Sequence, residues 1–423
     1  MLWCLVLAQW CRVRFCLVPP TKLAPGLVLC GPEEINVFQV LTLNAISPKG
    51  LARLPKDKYV VSSDAAAPDA IVVRSFNLHD REIPASVRAI GRAGAGVNNI
   101  PVPQMSARGI PVFNAPGANA NAVKELVIAG LILGCRHLCQ AWDFARKLEG
   151  ADAELHKAVE AGKKQFVGTE ICDRTLGVVG LGFIGRNVAH AASALGMHVV
   201  GYDPGLTIEG AAQLSSTIRR VDSLDDLLAQ AEFVTVHVPL IESTRNLINA
   251  AALARLPKHA VVLNFAREGI VDERAIVEAL DKDALAAYVS DFPVNQTRHH
   301  PKCITLPHLG ASTEEAEENC AIMVADQIRD FLEHGNVRNA VNFPEVSLPR
   351  TTPFRLVCGS SSQPTIAGQV SDALKGAGIT IHAMANLSRG DLAYLVADLD
   401  AAPGTAVMER IAAIDGVRMT RAI

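Results

Sequence analysis

The stretch LGVVGLGFIGRNVAHAASALGMHVVGYD, residues 176–203, decides the fold. It reads as a short buried strand, a Gly-x-Gly-x-x-Gly turn, a helix without proline, and a second strand that ends in Asp203. Gly180 permits the tight turn, Gly182 lets a pyrophosphate approach the backbone, and Gly185 lets the helix lie close on its strand. The helix N-terminus offers free N–H groups and the positive end of its dipole to phosphates. A carboxylate at Asp203 accepts from ribose hydroxyls and repels a 2′-phosphate. Together these features predict a βαβ unit that binds NAD rather than NADP.

Further strands follow the same pattern. FVTVHV (residues 233–238), AVVLNF (260–265), AAYVSDF (286–292) and CITLPH (303–308) are short apolar runs, most of them separated by helical stretches. Continuous rather than alternating apolar strands predict a parallel sheet covered on both faces. In such sheets ligands sit beyond the carboxyl ends of the strands. Arg267 follows the second of these runs, Asp291 closes the third and His308 closes the last, so all three should face the crevice that holds Gly180 and Asp203. Their chemistry is complementary. An imidazole can move the proton of a hydroxyl, a guanidinium fork can hold a carboxylate and polarise an oxo group, and NAD can accept a hydride.

Upstream, AIVVRS (70–75), VRAIGRAG (87–94) and GIPVFNAP (109–116) read as a first series of buried strands. ANAVKELVIAGLILGCRHLCQAWDFARKLE (120–149) reads as one long helix, buried in its first half. A second helix is expected near 313–334, then a proline-containing linker, NFPEVSLPRTTP (342–353). The last 70 residues, beginning at Pro353 or Phe354, run strand, helix, strand, strand, helix, strand, the order of a separate ferredoxin-like domain.

Composition narrows the function. The 423 residues carry a net charge of −3, which gives no general attraction to nucleic acid or to an anionic membrane. None of the 10 cysteines forms a CxxC pair, so no metal site is expected and the thiols read as reduced, as in the cytoplasm. Residues 1–36 do not fit the rest. Their apolar opening has no preceding positive charge and is interrupted by Arg12 and Arg14, unlike a secretory signal. They are expected to be a non-native or disordered extension, with the compact chain starting at Val37.

RAGAGVNNI (92–100), GIPVFNAPGANANAVKELVI (109–128), GVVGLGFIG (177–185), HVPLIESTRNLI (237–248), NFAREGIVDE (264–273) and PHLGASTEEAEENCA (307–321) carry a resemblance. The chain resembles the D-isomer-specific 2-hydroxyacid dehydrogenases, and among them the members with a C-terminal ACT domain that oxidise D-3-phosphoglycerate. The likeness runs from about Val37 to the end. It implies an α/β fold in which an NAD-binding Rossmann domain is inserted in a flavodoxin-like substrate domain, with a C-terminal ferredoxin-like (ACT) α+β domain. The implied divisions are 37–125 and 315–342 for the substrate domain, 126–314 for the NAD domain, 343–352 for the linker and 353–423 for the ACT-like domain. Arg267 and His308 are the implied catalytic pair. Phe183, Ile184, Asp203, Phe265, Ala266, Asp291, Gly310 and Ala311 are implied NAD contacts, and Arg74, Ser75, Gly94, Ala95 and Gly96 are implied to hold the substrate. The implied reaction yields 3-phosphohydroxypyruvate as the first step of L-serine biosynthesis.

Two departures stand out. The family places a glutamate shortly after the strand that ends at Asp291, where it hydrogen-bonds the histidine. Here the stretch is DFPVNQ (291–296), without a carboxylate beyond Asp291, and Glu268 replaces the usual glycine after the arginine. Glu268 or another acid is therefore expected to partner His308. In SSSQPTIAGQV (360–370) the family's effector-binding Asn and Gly are not evident, so L-serine binding and a purely structural role both stay open. A homodimer or homotetramer is expected. Oxidation of another D-2-hydroxy acid, such as 2-hydroxyglutarate, glycerate or D-lactate, remains an alternative, as does a non-catalytic module that senses NAD and amino acids.

Overall fold

The computed structural model describes residues 37–423, so the expectation for residues 1–36 lies outside the described residues. Three sheets organise the chain. The first contains β1 (Phe38–Leu43), β2 (Tyr59–Ser62), β3 (Ala70–Val73), β4 (Ala89–Arg92) and β5 (Val112–Phe113). They are parallel, in the order β2-β1-β3-β4-β5, which is the flavodoxin-like order. The second contains β6 (Thr175–Val179), β7 (His198–Tyr202), β8 (Arg219–Arg220), β9 (Phe233–Val236), β10 (Ala260–Asn264), β11 (Leu285–Ser290) and β12 (Cys303–Thr305). It is also parallel, in the order β12-β11-β10-β9-β6-β7-β8. Every residue of β9 and β10 is buried, because helices cover both faces. The third sheet contains β13 (Phe354–Ser361), β14 (Ile381–Arg389), β15 (Leu392–Leu399) and β16 (Val417–Ala422), antiparallel in the order β14-β15-β13-β16. The α/β and ferredoxin-like classes expected from sequence are those observed.

Strand order creates two crevices. In the second sheet the chain leaves β6 toward β7 and β8, then crosses back to β9 on the other side. The carboxyl ends of β6 and β9 therefore diverge into a switch point. In the first sheet the corresponding point lies between β1 and β3, where Asn44 Oδ1 accepts from the N–H groups of Ser75 and Phe76 at 3.1 and 2.5 Å. Two long helices join the sheets. Ala120–Arg136 leaves β5 and packs under β10 and β11, while Glu314–His334 returns from β12 to cover β4. The return is close. A Cβ on Gly91 would meet Val324 Cγ1 at 2.4 Å, so this strand position accepts only glycine.

One expectation needs correction. The helix expected over 120–149 is not continuous. His137 takes a left-handed conformation, φ 51°, and a separate helix Leu138–Arg146 follows it with no buried residue. Its apolar residues lose the sheet they would pack on, and Trp142 is 62% exposed. A further exposed helix, Asp152–Gly162, lies where the sequence analysis placed no element. The C-terminal sheet is packed on both faces. One face packs Leu356, Cys358 and Leu395 against the helices Pro364–Gly376 and Thr405–Ala412. The other joins Val357, Tyr394 and Val396 to Phe331 and Phe343 in the core beneath the first sheet. β15 is consequently buried at all eight positions.

A buried ion pair secures that junction. Arg355 Nε donates to Asp398 Oδ1 at 2.6 Å with neither side chain exposed, and Arg355 Nη1 also reaches the carbonyl of His334 at 2.8 Å. Burial pushes the Asp398 carboxyl up, but hydrogen bonds from Arg355 and Thr351 outweigh it and hold the group below the ordinary carboxylate value. Its contribution is thus present above the unfolded value and lost as pH falls through the folded one. Asp398→Ala should cost about 3–5 kcal/mol, because it strands a buried guanidinium. Urea unfolding at neutral pH reads this out. A cost below 1 kcal/mol would mean that the pair is not what secures the junction.

Candidate active site

The glycine turn has the geometry its sequence demands. Gly180 has φ +92°, and a Cβ there would meet the His237 carbonyl oxygen at 2.7 Å, so the ends of β6 and β9 can adjoin only at glycine. A Cβ on Gly185 would lie 1.9 Å from the Gly180 oxygen, whereas one on Gly182 would find nothing within 4 Å. The turn is closed toward the protein and open toward the crevice. Helix Phe183–Ala194 begins at Gly182 with no side chain capping it, leaving first-turn N–H groups for an anion. Asp203 stands at the end of β7, where its oxygens accept from the N–H groups of Leu181 and Gly205 at 2.8 and 2.9 Å. These residues fit a dinucleotide: an open cradle for its pyrophosphate and a fixed negative charge on the ribose side.

Next to the turn lies a cleft of about 630 Å³. From the second sheet come Ile184, Phe265, Ala266, Arg267, Asp291 and His308. Gly310 and Ala311 follow, and the first sheet contributes Arg74, Ser75, Gly94, Ala95 and Gly96. The expected NAD contacts and substrate-holding residues thus converge from two sheets. Gly180, Gly182, Phe183, Gly185 and Asp203 belong to the adjoining turn and strand end rather than to the cleft lining.

Local hydrogen bonds set the reactive groups. Asn264, buried at the end of β10, accepts from Ala266 N–H and donates to the Arg267 carbonyl, which fixes the turn that carries the arginine. Arg267 Nη1 donates to the Ala266 carbonyl, and its Nη2 would lie 3.0 Å from a Cβ on Gly96, so glycine leaves room for the guanidinium. Burial lowers the Arg267 pKa. The Asp291 carboxylate accepts from Leu309 N–H at 2.7 Å and Gly310 N–H at 2.8 Å, and its carbonyl accepts from His308 N–H at 3.0 Å. Burial raises the Asp291 pKa, with these N–H groups and His308 acting against it. His308 is held in the left-handed region, φ 58°, with its ring 5.0 Å from that of Phe292.

Glu268 is exposed, lies outside the cleft lining, and forms no hydrogen bond or ion pair with His308. Burial raises the Glu273 pKa, and the charge of Glu268 adds to that rise. Two cleft residues, Arg92 and Glu317, were not singled out from sequence. Arg92 closes β4, donates Nε to the Arg74 carbonyl at 3.0 Å, and has its pKa lowered by burial and by Arg267 and Arg74. The strand-end rule that found Arg267 would also have found it. Glu317 Oε1 meets Arg74 Nη2 at 2.6 Å inside the cleft. Only the return of helix Glu314–His334 brings that acid to β3. His237 lines the cleft, with Nε2 3.0 Å from Thr235 Oγ1, and burial drives its pKa down to about 3, keeping it neutral. Lys124 bonds Asn121 and approaches Glu125 on its own helix. His300 contacts Asp281 and Lys302, and among the described residues no cluster of three metal-ligating side chains occurs.

Fold and turn define a dinucleotide-binding protein with a cationic cleft beside the glycine turn. Residues 138–310 match the family model described as D-isomer specific 2-hydroxyacid dehydrogenase, NAD binding domain. The chain is 41% identical to a D-3-phosphoglycerate dehydrogenase of Synechocystis sp. over 288 residues, 65% of this chain and 49% of that one. It is 33% identical to that of Haemophilus influenzae over 348 residues, 79% of this chain and 81% of that one. Among solved structures it resembles the NAD+-bound 3-phosphoglycerate dehydrogenase of Entamoeba histolytica, with a TM-score of 0.56, 25% identity, and coverage of 72% of this chain and 99% of that one. The chain belongs to the D-isomer specific 2-hydroxyacid dehydrogenase family, and its second sheet carries that family's NAD-binding domain. It spans about half the length of the first curated relatives that it matches.

The open face at Gly182 gives a clean test. Gly182→Val should leave stability near wild type, because no atom opposes the new side chain, yet weaken NADH binding tenfold or more. Gly185→Val should instead destabilise the fold through the Gly180 contact. Fluorescence titration with NADH and thermal unfolding of both variants separate the effects. Unchanged affinity in the first would place the dinucleotide elsewhere.

Proposed function

We propose that the chain oxidises D-3-phosphoglycerate to 3-phosphohydroxypyruvate with NAD, supplying L-serine biosynthesis. The observation that carries this reading is the convergence of Arg267, His308, Arg74 and Arg92 on one cleft beside a dinucleotide turn. Several curated relatives that bear the name of this activity support it. Arg267 is the partner for the substrate carboxylate, since a planar guanidinium matches it bidentately. Arg74, Arg92 and the backbone of residues 94–96 supply the positive field for a phosphate. His308 accepts the C2 hydroxyl proton as the C2–H bond breaks. Bound NAD supplies the acceptor for the departing hydride. Asp291 acts as the positioning residue for the His308 loop. Closure of the two sheets over the cleft would exclude water.

The same proposal extends to the divisions 37–125, 126–314, 315–342, 343–352 and 353–423, to a cytoplasmic location and to a homodimer or homotetramer. Exposed Leu138 and Trp142 on the helix Leu138–Arg146 support association. An L-serine effect through residues 360–370 belongs to it too. One observation favours a second reading: Glu317 already neutralises Arg74, which suits a less highly charged D-2-hydroxy acid.

NADH formation at mildly alkaline pH, with 3-phosphoglycerate, glycerate, D-lactate and 2-hydroxyglutarate offered in parallel and with or without L-serine, tests the proposal. The phosphorylated acid should give the highest kcat/KM. His308→Asn should lower kcat by about 10²–10⁴-fold, the usual weight of a general base. Arg267→Gln should lower kcat/KM by a similar order. Preference for an unphosphorylated acid would establish the second reading, and NAD binding without turnover of any acid would remove the catalytic one.

A further inference from the structure

A second cationic site lies away from the cleft, where the last strand meets the first sheet. A crevice of about 260 Å³ opens between β16 and the segment around Gly109. Arg88, Arg108 and Arg421 line it, and no carboxylate does. The approach is tight, since a Cβ on Gly109 would meet Met419 Cβ at 2.9 Å.

The charges are largely unanswered. Arg421 forms no ion pair among the described residues. Its Nη atoms donate to the carbonyls of Phe331 and Leu332, its guanidinium sits 4.7 Å from the Phe331 ring, and its Nε is out of solvent without a partner. Burial lowers its pKa to about 10. Asp69 acts on it from a distance, but one oxygen of that carboxylate faces Arg88 Nε at 3.4 Å and the other accepts from Gln39 N–H. Arg108 spends both Nη atoms on the carbonyls of Ile83 and Pro84. Three guanidinium groups are thus gathered in a seam where Asp69 pairs with Arg88 while Arg108 and Arg421 bond only neutral carbonyls. Arg421, the most buried of the three, has no counter-charge in contact, and oxyanions are the strongest partners of guanidinium groups.

The geometry points to a binding site for a small oxyanion in this crevice. Its volume lies below the roughly 300–1,000 Å³ of pockets for drug-sized ligands, which limits the occupant to a phosphate or the carboxylate of a small acid. The site has a mechanical connection to the cleft. Arg421 hangs on the C-terminal turn of helix Glu314–His334, whose first turn places Glu317 against Arg74. An anion on Arg421 would therefore brace the last strand, the first sheet and that helix together.

Hydrogen–deuterium exchange on the full chain tests this without requiring turnover. Inorganic phosphate, and separately L-serine, would replace chloride at constant ionic strength. Slowed exchange is expected in residues 107–111 and 417–423 of the wild type, and its loss in Arg108→Gln. Arg88→Gln serves as the second variant if the first does not fold. Protection by phosphate alone identifies a phosphate site, and protection by L-serine identifies an amino-acid carboxylate. Exchange that is unchanged by both, or slowed equally in a folded variant, overturns the assignment.

Discussion

The Asp291 carboxylate ties together the ends of two neighbouring strands, and the reactive edge of the molecule depends on that tie. It is almost wholly buried, which normally disfavours a charge. Two backbone N–H groups, from Leu309 and Gly310, offset part of the penalty. Those donors are available only because the chain after β12 turns back at His308 in a left-handed conformation. One side-chain acceptor thereby fixes the loop that presents the imidazole. Asn264 does the same at the end of β10 for the loop that presents Arg267. Asn264 captures the loop of its own strand and Asp291 that of the neighbouring β12, so Arg267 and His308 are held on one rim.

The first sheet supplies the other half of the cleft through a similar device. Asn44, after β1, captures the N–H groups of Ser75 and Phe76 after β3. Arg92, after β4, binds the carbonyl of Arg74. Both halves are joined by two long helices rather than by a common sheet, so relative movement would pass through those helices and change the cleft without disturbing either rim. The third sheet is not a bystander, because Tyr394 donates to the Gly335 carbonyl and Arg355 to that of His334, both at the end of the returning helix. The helix whose end they hold carries Glu317, the partner of Arg74, in its first turn.

Much of this was legible in the residues. The glycine spacing, the apolar strands and the polar residue closing each one placed Gly180, Asp203, Arg267, Asp291 and His308 on one edge, because strand direction alone settles which end a residue occupies. What was illegible depended on contacts distant in sequence. Glu317 was not singled out, because only the returning helix sets it against Arg74. Glu268 suggests a substitute partner for His308 because it replaces a glycine where the expected carboxylate is missing, yet it is exposed and makes no bond to the imidazole. The break at His137 carries no proline or glycine to announce it.

By itself, then, the sequence determined the fold class, the dinucleotide turn and the strand-end chemistry, since these follow from local periodicity, glycine geometry and chain direction. Only the tertiary structure decided which charges meet, because ion pairing depends on distances of a few ångströms between segments hundreds of residues apart. It also decided that the C-terminal sheet shares a core with the first, and that Arg88, Arg108 and Arg421 gather at their seam. Apolar patterning states that a face must be covered but not by what, and that choice belongs to packing.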